Sequence, residues 1–103
     1  MMHLIEILLP LGDDTGNAFP AAQYEGLSQR LTERFGGVTS FARSPAQGRW
    51  RSAHATEHDD IIVLEVMAED LDREWWKNLR NDLMREFRQD DIVIRSHEIE
   101  RLR

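Results

Sequence analysis

The chain has 103 residues, no cysteine and a formal net charge of −6, from 13 basic and 19 acidic residues. These numbers predict one domain, exclude disulfides, thiolate chemistry, zinc ribbons and iron–sulfur clusters, and disfavour non-specific nucleic-acid binding. No apolar run approaches the roughly 20 residues of a membrane span, and the start Met1-Met2-His3-Leu4-Ile5-Glu6 carries no basic leader, so a cytoplasmic protein is expected.

The first predicted element is a strand over His3–Leu9, stopped by Pro10. Leu11–Ala18 is rich in Gly, Asp and Asn and reads as a loop. Its Gly12-Asp13-Asp14-Thr15-Gly16-Asn17 faintly resembles a calcium loop, but it lacks the regular ligand spacing and the closing bidentate Glu, so a turn is expected. A helix is predicted from near Pro20 to Gly36 or Gly37, where glycine supplies a left-handed cap. A second strand covers Val38–Arg43. Ser44–Asp60 has no clear assignment: Pro45 and Gly48 break it, and His54–Asp60 reads as a polar loop or hairpin tip. A third strand is predicted over Asp60–Met67, a second helix from an N-cap at Asp70 to about Gln89, and a fourth strand over Asp91–His97.

One pattern recurs. Tyr24, Leu27, Leu31 and Phe35 stand at intervals of 3, 4 and 4 residues, and so do Trp76, Leu79, Leu83 and Phe87. Each set traces one stripe along a helix, and each helix lies between two strand-like segments. Two β-α-β units predict an α+β ferredoxin-like βαββαβ sandwich. Four antiparallel strands in the order 4-1-3-2 would carry both helices on one face, within a single domain over residues 1–103.

Period-two alternation sorts the strand residues between two faces. Ile5, Ile7, Leu9, Ile62, Leu64 and Val66 turn toward the helices. Leu4, Glu6, Leu8, Ile61, Val63, Glu65 and Met67 turn to the open face, which is thus mostly aliphatic on both central strands. Such a face on an antiparallel sheet marks an interface. A two-fold homodimer that buries it is expected; the competing arrangement folds the 44–60 stretch or the C-terminal tail over it.

Four polar side chains share the open face: Glu6, Glu65, Arg95 and His97. They are the candidate acid/base residues, and the alternative for them is a set of structural ion pairs at the dimer interface. Arg49, Trp50 and Trp75 are candidate ligand-binding residues, since an aromatic ring beside arginines can hold an anionic or nucleotide ligand. Trp76 belongs to the core stripe. His54, Glu57 and His58 are candidate metal ligands, but their spacing matches no metal motif, so a solvated turn is expected and neither metal nor cofactor is predicted.

Several uses of this fold are disfavoured. RNA-recognition domains display aromatics on the central strands, where this chain has Leu, Ile, Val and Glu. Metallochaperones of this fold need a cysteine pair after the first strand, and acylphosphatases an arginine there; Leu11–Ala18 has neither. The aliphatic open face resembles that of the dimeric α+β barrels, small oxygenases and stress proteins that pair sheet against sheet. The segments Phe35-Gly36-Gly37-Val38-Thr39, Gly48-Arg49-Trp50 and Phe87-Arg88-Gln89, over roughly Tyr24–Val93, resemble an uncharacterised family of small bacterial domains. That resemblance implies a ferredoxin-like fold and no established activity.

The expectation is a homodimeric binding or interaction module whose partners are a second copy of itself and, at most, a small apolar ligand, with no nucleic acid and no membrane. The alternative is a small dimeric α+β-barrel enzyme, oxygenase-like or isomerase-like, acting on an apolar organic molecule.

Overall fold

The computed structural model describes residues 2–43 and 61–102. Strands β1 (Met2–Pro10), β2 (Thr39–Arg43), β3 (Ile61–Ala68) and β4 (Ile94–Ile99) and helices α1 (Ala21–Phe35) and α2 (Arg73–Glu86) follow in the order β1-α1-β2-β3-α2-β4. The strands form one antiparallel sheet in the order β2-β3-β1-β4. This is the ferredoxin-like arrangement, with β1 and β3 at the centre. Arg49, Trp50, His54, Glu57 and His58 lie outside the described residues.

The two helical stripes do what their spacing requires. Leu27, Leu31, Trp76, Leu79, Leu83 and Phe87 are all buried, and Tyr24 and Phe35 close the ends of the first stripe half-buried. They pack on Ile5, Ile7, Leu9, Leu64 and Val66, the inward set of the central strands. The helices run antiparallel, as their polar seam shows. Gln23 Nε2 donates to the Glu86 carbonyl at 3.1 Å, Arg30 meets Asp82 at 3.3 Å, and Arg34 meets Asp72 at 3.3 Å.

Element ends are set by local chemistry. Gly36 caps α1 at φ 86°, its N–H donating to the Thr32 carbonyl. An L side chain is strained there, which is why the helix ends at a glycine. Helix α2 starts two residues later than expected. Asp72, not Asp70, is its N-cap, and its Oδ1 accepts from the Trp75 N–H at 3.1 Å. The reason is Leu71, which packs against the core and must precede the first turn. The same helix ends at Glu86 rather than Gln89. Arg88 takes φ 50°, and the Gln89 N–H turns back to the Met84 carbonyl at 2.9 Å, a Schellman closure without glycine. Strand β4 begins at Ile94, later than Asp91, because Arg80 holds the approach: its Nε donates to the Ile92 carbonyl at 2.9 Å and its guanidinium pairs with Asp91.

The loop after β1 is a turn, closed by Asp13, whose Oδ1 accepts from the N–H groups of Thr15 and Asn17. The Thr15 hydroxyl, which also donates to Oδ1 at 2.7 Å, leads these bonds in holding the carboxyl below the usual range. Phe19, absent from the helical stripes, is buried and meets Phe87 edge-on at 5.0 Å. It directly precedes the N-cap Pro20, with Tyr24 at the fourth helical position: the hydrophobic-staple spacing, a signal present in the sequence.

Candidate functional site on the open sheet face

The strand register assembles one polar row across the entire sheet. Glu6 of β1 is directly opposite Glu65 of β3 on one side and Arg95 of β4 on the other, and Glu65 is opposite Thr39 of β2. The row therefore reads Thr39–Glu65–Glu6–Arg95. Leu4 and Met67 lie opposite each other one row along, with His97 opposite Leu4; Leu8 and Val63 form the row on the other side. A polar band crosses a face whose other central-strand residues are apolar.

The chemistry of the row is dominated by Glu6. Arg95 Nε donates to Glu6 Oε1 at 2.8 Å. The Glu6 side chain is 13% exposed, against 50% for Arg95. The Arg95 hydrogen bond holds the Glu6 carboxyl below the usual carboxylate range; burial opposes the shift, while the Arg95 charge and the nearby His97 assist it. Like charges directly opposite in a sheet are destabilising, so the Glu6–Glu65 pair does not arise from fold requirements. A carboxylate kept ionised is a weak proton acceptor and a good partner for a cation.

All four polar residues expected on this face are there, and the register brings Glu6, Glu65 and Arg95 into one row with His97 beside it. Thr39 was not singled out by the sequence, since its place depends on the β2–β3 register. The aliphatic residues of the face are less exposed than alternation implies: Val63 is fully buried although it stands apart from the core cluster, Leu4, Leu8 and Ile61 are half-buried, and Met67 is 44% exposed. Trp75 sits on the helical side. Its ring meets Phe35 and Trp76 edge-on, and the Arg34 guanidinium lies 4.5 Å from its centroid. A cation already occupies one face of that ring.

Two clefts lie elsewhere. One, of about 290 Å³, runs along α1 beside Glu86; the other, of about 280 Å³, opens between α2 and β4. Neither is lined by Glu6, Glu65 or His97. Among the described residues, no three His, Asp or Glu side chains gather as metal ligands, and no helix is long and apolar enough to cross a membrane.

The chain matches no protein-family model and no curated protein. Among solved structures it is similar to a phage SAM lyase in complex with S-methyl-5′-thioadenosine, with a TM-score of 0.63 and 13% sequence identity over 94% of this chain and 81% of that one. At that identity the likeness speaks for the fold alone, and it agrees with the α+β sandwich described above.

Proposed function

We propose that the chain is a binding module that self-associates through the open face of its sheet, with the Thr39–Glu65–Glu6–Arg95 row as the recognition element. The observation that carries this reading is the row itself: one guanidinium and two opposed carboxylates on a face whose other central-strand residues are aliphatic. Two copies packed face to face about a two-fold axis that lies between the sheets, parallel to the strands and above Glu6, set one row antiparallel on the other. Arg95 of one protomer then faces Glu65 of its partner, which offsets the like-charge pair within each sheet. The flanking Leu4, Leu8 and Met67 supply the apolar contact area.

Sedimentation equilibrium tests this. The wild-type chain is expected to be a dimer at micromolar concentration. Substitution E65R should dissociate it by setting two guanidinium groups against each other, and E65R/R95E should restore it, because the double exchange mirrors the row and still gives Glu6 a cationic neighbour. A wild-type chain that sediments as a monomer removes the proposal.

A second reading, a small dimeric α+β-barrel enzyme acting on an apolar organic molecule, draws on the convergence of Glu6, Glu65, Arg95 and His97. The depressed Glu6 pKa weighs against it as general-base chemistry, and the described clefts meet the row at Arg95 alone, with neither carboxylate nor His97 lining them. S-methyl-5′-thioadenosine, the ligand of the similar phage lyase, is a reasonable first probe. Saturable, E6Q-sensitive shifts of the β1 and β3 amide resonances on its addition favour the enzyme reading, and their absence favours the module.

A further inference from the structure

The cleft of about 280 Å³ between α2 and β4 lies on the helix-covered side of the sheet and touches the polar row only at Arg95, on its β4 edge. Its floor is apolar: Leu71, Trp76 and Ile94 line it, with Trp76 only 6% exposed. Its rim is cationic. Arg73, Lys77 and Arg80 also line it, and their spacing of four and three residues stacks them on one stripe of α2. Like charges at these intervals repel by about 0.2–0.5 kcal/mol per pair on a helix. They stand together on a chain whose net charge is −6. Arg80 is already held in place by the Ile92 carbonyl and Asp91. No salt bridge ties Arg73 or Lys77 to a carboxylate among the described residues.

An apolar floor with convergent charged groups at its edge is the composition of a small-molecule site, and a volume of about 280 Å³, just under the roughly 300–1,000 Å³ of drug-sized sites, suits a small ligand. We infer that the α2–β4 cleft binds a small organic anion, with a ring or short aliphatic body on Leu71, Trp76 and Ile94 and a carboxylate or phosphate head between Arg73 and Lys77. The head is the specific element: two flexible cations relieve their mutual repulsion by sharing one anion. Arg80, pinned by its own partners, supplies a fixed positive potential behind them.

The test is an amide and indole chemical-shift titration of the full chain with phenyl phosphate and with phenylacetate, using inorganic phosphate and benzyl alcohol as controls. Saturable shifts are expected at the Trp76 indole, Lys77 and Ser96, with either anion, and the tighter of the two identifies the head group. The R73E/K77E chain should lose at least about tenfold in affinity, equivalent to about 1.4 kcal/mol. Both substituted side chains are exposed, so the melting temperature should stay close to wild type; R73Q/K77Q serves should the charge reversal disturb folding. Unsaturable shifts, affinity unchanged in both variants, or benzyl alcohol binding as tightly as the anions overturns the assignment.

Discussion

Glu6 illustrates how much one residue's surroundings decide. The same carboxylate on a free surface would titrate in the ordinary range; here Arg95 keeps it ionised to lower pH. Because folding lowers this pKa, the unfolded chain binds more protons through the titration. The stability that Glu6 contributes is therefore complete above the ordinary Glu range and lost as pH falls through the folded value. The pair is partly solvated, so its worth is at most about 1 kcal/mol. Substitution E6Q should cost up to that amount at pH 7 and nothing in acid below the folded value, as read by urea denaturation at both pH values. R95Q should cost more than E6Q at pH 7, since it leaves Glu6 charged opposite Glu65. Alternation alone placed Glu6, Glu65, Arg95 and His97 on one face, because a period of two needs no knowledge of partners. The row was not legible, because which residues stand opposite one another depends on register, and the β2–β3 register cannot be counted across the unassigned stretch between Arg43 and Ile61.

At the scale of elements, local signals were reliable where a single residue type can do the job and ambiguous where two compete. Gly36 had no rival for the left-handed cap, and α1 ends there. Substitution G36A should destabilise the chain by about 1–2 kcal/mol, the cost of an alanine in the left-handed region. Asp70 and Asp72 both fit an N-cap by residue type. What separates them is the pairing of Leu71 with Trp76, the spacing of a hydrophobic staple around a cap at position 72. D72A should lose about 1 kcal/mol or somewhat more, since it removes both the Trp75 cap bond and the Arg34 partner. D70A, two residues before the N-cap, should stay within about 0.5 kcal/mol of wild type. Urea midpoints of the two variants check the assignment directly. Arg88 escapes such reasoning from sequence: a left-handed arginine has no compositional mark, and it is held by its Asp13 partner at 3.6 Å and by the Phe19 ring.

The whole molecule is two layers, and the division between them passes through neighbouring residues of one strand. Ile7 faces the helices and is fully buried; Leu8, the next residue, faces the open side and is half-buried. Truncating each to alanine separates the core from the proposed interface. Ile7→Ala removes a core side chain opposite Leu64 and should cost about 2–5 kcal/mol, at every protein concentration, because the cavity lies within one subunit. Leu8→Ala acts on the open face. In an isolated subunit it should cost less than Ile7→Ala, in proportion to the smaller area lost from water. In a dimer its cost should grow with protein concentration, because association adds to apparent stability by mass action only when the face is intact. Melting temperatures of wild type, I7A and L8A over a hundredfold range of concentration therefore discriminate. Parallel lines for wild type and I7A, with a shallower line for L8A, locate the association on the open face. Three flat lines mean that the aliphatic rows beside Glu6 are covered within one chain and that the sheet does not pair.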